Sequence, residues 1–154
     1  ETVYCPFGSK TSKGLISMVP FSPQMTAVLI DGYKYVGFLS LPTLELELPV
    51  MADWSEAKLK LSPCRYYGSV NGNDLVICAH NYARHFGRLT ELKSGDNVLF
   101  TDLDGTVTRY AVAEIQVLGP DQVEDMTSGD YPLTLFTCTY GGKSRVTVRC
   151  DAVG

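Results

Sequence analysis

From residue 26 onward the chain is a succession of short apolar and β-branched runs, each stopped by a turn signal. Residues 26–30 (TAVLI) and 33–39 (YKYVGFL) flank Asp31-Gly32, a pair suited to a tight turn because both residue types tolerate positive φ. In 44–50, Leu44, Leu46, Leu48 and Val50 alternate with Glu45, Glu47 and Pro49, the period of a strand with one face buried. Pro49 lacks an N–H and so places the end of that strand at a sheet edge or bulge. Residues 74–79 (DLVICA) are an almost unbroken apolar run, consistent with a strand buried on both faces. Residues 97–101 and 106–117 flank Asp104-Gly105, a second hairpin signal, and 133–138 and 145–150 complete the set. Many short strands with little helix predict a mainly β chain, closed or nearly closed into a barrel.

The 154 residues fit one domain, and 45% hydrophobic against 19% charged residues supply a core. With 13 basic and 17 acidic residues the net charge is −4. This balance, without a Lys/Arg run, speaks against a general nucleic-acid or anionic-membrane binder. No apolar stretch approaches the roughly 18 residues that span a bilayer, so a soluble domain is expected; an anchor before Glu1 stays open. Helix signals are few. Tyr82, Phe86, Leu89 and Leu92 fall at helical spacing around Gly87, and Asp53 to Leu61 suggests a short helix with Asp53 as N-cap and Trp54, Ala57 and Leu61 on one side. Residues 1–25, with Pro6, Pro20 and Pro23 and little periodicity, read as an arm wrapped on the domain or as partly disordered.

The stretch 133–150 (LTLFTCTYGGKSRVTVRC) carries the most chemistry. A hairpin turning at Gly141-Gly142 makes the numbers of facing residues sum to 283, which sets Cys138 opposite Arg145. Leu133, Leu135, Val146, Val148 and Cys150 then share an inner face, and Cys138, Arg145, Thr147 and Arg149 share the other. A guanidinium beside a thiol favours the reactive thiolate and can meet a developing oxyanion. The bland reading is an inert core cysteine. A nucleophilic Cys also needs a proton shuttle, and His80 emerges at the end of the run Leu75–Ala79. His85, three residues before Arg88, reads as a surface residue. Cys78 and His80 offer only two metal ligands, and the five cysteines contain no CxxC, so no metal is expected. The cysteines other than Cys138 read as free thiols, with Cys78 in the core.

These residues resemble the sortases, cysteine transpeptidases of Gram-positive cell surfaces. Thr134-Leu135-Phe136-Thr137-Cys138 matches the family's TLxTC nucleophile motif. Leu75 through Ala79-His80-Asn81 matches the strand carrying its histidine, and Arg145-Val146-Thr147-Val148-Arg149 the strand whose first Arg is its arginine. Gly37-Phe38-Leu39 through Leu48-Pro49-Val50, and Leu89, Leu92, Gly95 and Asp96, resemble two further family segments. The resemblance covers about residues 33–150. Departures are Ala79, where the family usually has Gly, and a short loop between Cys138 and Arg145. Pro120, Glu124, Asp125 and Asp130 occupy the segment that normally shapes substrate choice, as a solvated loop face or a cation site.

The resemblance implies a closed eight-stranded β-barrel with a few short helices, residues 33–154 forming the catalytic domain and 1–32 an N-terminal arm. It implies Cys138 as nucleophile, His80 as general acid/base and Arg145 as oxyanion-side cation, with Thr137, Phe136, Ala79 and Asn81 on the substrate side. It implies cleavage of an LPxTG-like sorting signal between Thr and Gly through a thioacyl-enzyme, then transfer to a cell-wall or pilin amine. No cofactor is implied. The partners are sorting-signal-bearing surface proteins and the amine acceptor, and the enzyme is a monomer at the outer face of the membrane, classed with the cysteine peptidases (EC 3.4.22). Two other readings stay open: a hydrolytic cysteine peptidase of the same fold, and a non-catalytic β-barrel binding module.

Overall fold

Among the described residues nine strands follow one another with little helix between them. The computed structural model describes residues 25–80, 82, 84–119, 127, 130–138 and 145–153. The strands are β1 (Val28–Ile30), β2 (Tyr33–Leu41), β3 (Leu46–Met51), β4 (Cys64–Tyr67), β5 (Leu75–His80), β6 (Asn97–Asp102), β7 (Val107–Leu118), β8 (Leu133–Cys138) and β9 (Arg145–Ala152). The sheet order is β1-β2-β3-β4-β5-β8-β9-β7-β6, and β2 also pairs with β6. That extra pairing closes β2 through β9 into an eight-stranded barrel and leaves β1 as a hairpin arm outside the ring.

The turn signals act as read. Asp31 (φ 52°) and Gly32 (φ 87°) both take left-handed conformations, so Ile30 pairs directly with Tyr33 across a two-residue turn. Asp102 and Thr106 bracket the second hairpin, with Gly105 at φ 91°. The closing seam depends on Gly37. A Cβ there would stand 2.2 Å from the Thr101 carbonyl oxygen and 2.8 Å from Phe100, so only a residue without a side chain lets β2 approach β6 this closely. The β2–β3 register also slips between Tyr35 and Gly37, the kind of bulge that bends a strand around a barrel.

Two apolar clusters share β5, whose six residues are all buried. Leu75, Ile77 and Ala79 join Leu39, Phe100, Leu133, Leu135 and Val148 in the main core. Val76 and Cys78 point the other way, toward Met51, Leu59, Tyr66 and Phe136. The uninterrupted run at 75–79 therefore reflects burial on both faces. Leu44, Leu48 and Val50 bury in the main core as their alternation requires, but the strand starts later than the pattern suggests. Pro42–Leu44 forms a 3-10 turn closed by Glu45 in the left-handed region. Pro49 pairs with Phe38 of β2, whereas β3 meets β4 only at Met51–Cys64, so the proline sits where that flank carries no ladder.

The helical expectations need correction in detail. The one α-helix among the described residues, α1 (Glu56–Leu59), is capped by Ser55, whose hydroxyl accepts from the Lys58 N–H at 3.0 Å. Asp53 instead pairs with the Lys58 ammonium at 2.7 Å, and Leu59 rather than Leu61 is the buried anchor. Between β5 and β6, Phe86, Leu89 and Leu92 are buried as their spacing implies, but they ride on turns and a 3-10 segment, Leu89–Glu91.

Candidate active site

The site is built where three strands reach the same rim. Strands β5 and β8 run parallel and in register from Leu75–Leu133 to His80–Cys138, so the last residues of both strands are ladder partners. Neighbouring strands lie about 4.8 Å apart, which brings these two backbone positions side by side. Strand β9 runs antiparallel to β8, with Leu133–Cys150, Thr134–Arg149, Leu135–Val148 and Phe136–Thr147 as partners. Every pair sums to 283, the register deduced from Gly141-Gly142. Carried two steps further it sets Arg145, the first residue of β9, at the level of Cys138. The turn itself, residues 139–144, lies outside the described residues.

Side chains on β9 alternate as the register demands. Val148 and Cys150 enter the main core with Leu133 and Leu135, and Val146 packs against it. Arg145, Thr147 and Arg149 are buried too, on the other face. The two arginines have different surroundings. Arg149 donates from Nη1 to Thr134 Oγ1 at 3.1 Å and from Nε to Gln116 Oε1 at 3.0 Å, and its guanidinium lies 5.4 Å from the Tyr131 ring centroid. Glu114 Oε2 accepts from both Gln116 and Tyr131, at 3.0 and 2.9 Å, which completes a polar brace across β7, β8 and β9. Arg145, at the rim, has no accessible surface, and its carbonyl accepts from the Thr147 hydroxyl at 3.2 Å.

His80 is buried, and its ring stacks on Tyr82 with centroids 3.8 Å apart and planes 11° from parallel. A tight turn holds this arrangement. The Tyr82 carbonyl accepts from the N–H groups of His85 and Gly87, and the His80 carbonyl accepts from the Phe86 N–H. Phe86 plugs the turn into the main core. The same turn corrects the reading of His85 as a surface residue: it is 5% exposed, because the chain folds back after Tyr82 and tucks the ring inward. Burial, with the charges of Arg84 and His80 nearby, lowers its pKa to about 4.

The four substrate-side candidates fall in different places. Thr137 is buried, and its hydroxyl accepts from the Val146 N–H at 3.2 Å, linking β8 to β9 below the rim. Phe136 has no exposed surface and meets Tyr66 edge to face at 5.4 Å. Ala79 lies in the main core, on the face of β5 opposite His80. Asn81 lies outside the described residues, as do Pro120, Glu124 and Asp125. Cys64, Cys78 and Cys150 are buried thiols rather than disulfides. Burial raises Cys64 and Cys150 to about 12, far from a reactive thiolate. Among the described residues no cluster of three or more metal-ligating side chains is present. Sequence reasoning missed Tyr82 as a neighbour of His80, because nothing in its spacing distinguishes a stacking residue from a core residue.

Comparison with known proteins gives this geometry a family. A model of the sortase domain matches residues 39–153. The chain belongs to the sortase family. It is 26% identical over 143 residues to sortase A of Bacillus anthracis, a match covering 88% of this chain and 68% of that protein. Sortase A from Corynebacterium diphtheriae superposes with a TM-score of 0.68 at 25% identity, over 79% of this chain and 62% of that one. Its lid mutant gives 0.70 at 25% identity, over 97% and 84%. Sortase C1 from Streptococcus suis gives 0.65 at 29% identity, over 78% and 73%. Sortases are cysteine transpeptidases that act on sorting signals, and as a family they are enzymes of Gram-positive cell surfaces. Among the described residues no helix is long and apolar enough to cross a membrane.

Proposed function

We propose that this sortase cleaves an LPxTG-like sorting signal between Thr and Gly and passes the acyl group to an amine, with Cys138, His80 and Arg145 as its catalytic residues. The observation that carries the reading is the parallel β5–β8 register, in which His80 and Cys138 are ladder partners at one rim. The thiolate of Cys138 attacks the Thr carbonyl carbon, and the oxygen takes up negative charge beside the Arg145 guanidinium. The C–N bond to Gly then breaks, and His80 delivers its proton to the departing amine. The thioacyl-enzyme is resolved when an incoming amine gives a proton to His80 and attacks the thioester, expelling the sulfur with its electron pair. The Arg149 side chain, held by Thr134 and Gln116, supports the wall below and leaves the oxyanion role to Arg145.

On the substrate side, Phe136 backs the peptide's site, Thr137 and Ala79 present backbone to an extended peptide, and Asn81, next in sequence after His80, is the fourth substrate-side residue. Residues 33–154 form the catalytic domain; residues 1–24, most of the arm expected at 1–32, lie outside the described residues. The acceptor is a cell-wall precursor or a pilin amine; a relative from Streptococcus pneumoniae, 25% identical with a TM-score of 0.67, is a sortase C described for its pilin substrate specificity. The enzyme acts as a monomer at the outer face of the membrane, among the cysteine peptidases by chemistry. With a quenched LPxTG-type peptide, Cys138→Ala and His80→Ala abolish cleavage, and Arg145→Ala lowers kcat by about a hundredfold or more while KM changes little. Full activity in Cys138→Ala would end the proposal. Mass spectrometry of the products with and without an added amine separates transfer from hydrolysis.

A further inference from the structure

Tyr82 takes no part in the chemistry above, yet its ring lies face to face with that of His80, with centroids 3.8 Å apart. Its placement is built rather than incidental. Two N–H groups converge on the Tyr82 carbonyl, at 2.9 Å from His85 and 2.8 Å from Gly87. The Phe86 N–H returns to the His80 carbonyl at 3.2 Å, so backbone bonds tie the turn to the end of β5. On its other contacts, the Tyr82 ring lies 5.5 Å from the His85 ring and has the Arg84 guanidinium carbon 4.6 Å from its centroid. A histidine at a strand end faces a broad, roughly two-fold torsion about its ring bond. A flat ring pressed against one imidazole face narrows that torsion and excludes water from the face. It also presents π-density to the imidazolium when the ring carries its proton.

We propose that Tyr82 is a positioning residue for His80, its stacked ring fixing the orientation of the imidazole for its general acid/base step. The proposal rests on the reading of His80 as the general acid/base. It acts through ring shape rather than the phenol hydroxyl, so Tyr82→Phe preserves it and Tyr82→Leu removes it. Because small misplacements of a reacting group cost orders of magnitude in rate, kcat for peptide cleavage falls about tenfold in Tyr82→Leu, with KM within twofold of the parent. Tyr82→Phe stays within twofold on both.

A spectroscopic reading accompanies the kinetics. In the parent protein the His80 ring protons are displaced upfield by the current of the stacked phenol ring, and Tyr82→Leu returns them toward the values of an unstacked histidine. Unshifted His80 protons in the parent would overturn the proposal without any variant having to fold. So would an unchanged kcat in Tyr82→Leu, a rise in KM alone, or an equal loss in Tyr82→Phe. His80→Ala separates the two levels: if it retains cleavage, the general acid/base reading falls and the proposal with it. If it is inactive while Tyr82→Leu is fully active, only the proposal falls.

Discussion

Three side chains near the rim illustrate how differently one barrel end treats its polar groups. His80 and Arg145 are buried at the rim, and His85 is buried a turn away from it. Among the described residues His85 Nδ1 is buried with no hydrogen-bond partner, so a proton on that ring has no compensation inside. Its pKa stands near 4 in the folded chain, against 6.5 ordinarily. As pH falls below 6.5 the unfolded chain binds a proton there that the folded chain refuses, so stability drops between 6.5 and 4 and levels off below. Between pH 7 and 4.5 this accounts for about 1 kcal/mol once screening by solvent is allowed for. Urea titrations of the parent and of His85→Gln at those two pH values measure it: the parent loses more stability than the variant by that amount. Parallel losses would show that His85 does not titrate in this way.

At the scale of elements, what could be read from the sequence was local. The β8–β9 register needed only a glycine pair and two short runs, and the ladder from Leu133–Cys150 to Phe136–Thr147 agrees with it. The proximity of His80 and Cys138 needed something no local pattern contains, a parallel pairing of strands with β6 and β7 between them in the chain. Residues 82–92 show the opposite failure. Helical spacing of buried residues was correct, but Gly87 and the carbonyl-directed bonds at Tyr82 favour turns over a continuous helix. At 53–59, Asp and Ser are both good caps, and the choice of Ser55 is decided by which side-chain oxygen accepts from the Lys58 N–H. The β2–β6 seam gives the sharpest prediction at this scale. Gly37→Ala forces a Cβ against the Thr101 carbonyl, and chemical denaturation is expected to register a loss of about 1–3 kcal/mol. A stability equal to the parent would mean the seam relaxes freely.

For the molecule as a whole, burial sorts the cysteines into chemical classes. Cys64, Cys78 and Cys150 sit inside the two cores, and the first and last have pKa values pushed up to about 12. A thiol-alkylating reagent applied to the folded protein at neutral pH therefore leaves these three unmodified, and denaturation releases them. Peptide mapping by mass spectrometry checks this; rapid native labelling of any of the three would contradict the burial described above.

On the proposed site, the β5–β8 pairing also sets when the protein can become an enzyme. His80 and Cys138 are 58 positions apart, and β6 and β7 must be laid down between them before β8 can slot beside β5. Contacts of such long sequence separation form late, after the entropy of closing the intervening chain has been met. With Cys138 and His80 in the roles proposed above, a newly emerged or partly unfolded chain holds its sulfur and imidazole far apart and is catalytically silent. Reactivity switches on with completion of the barrel, so the fold itself guards against indiscriminate acylation.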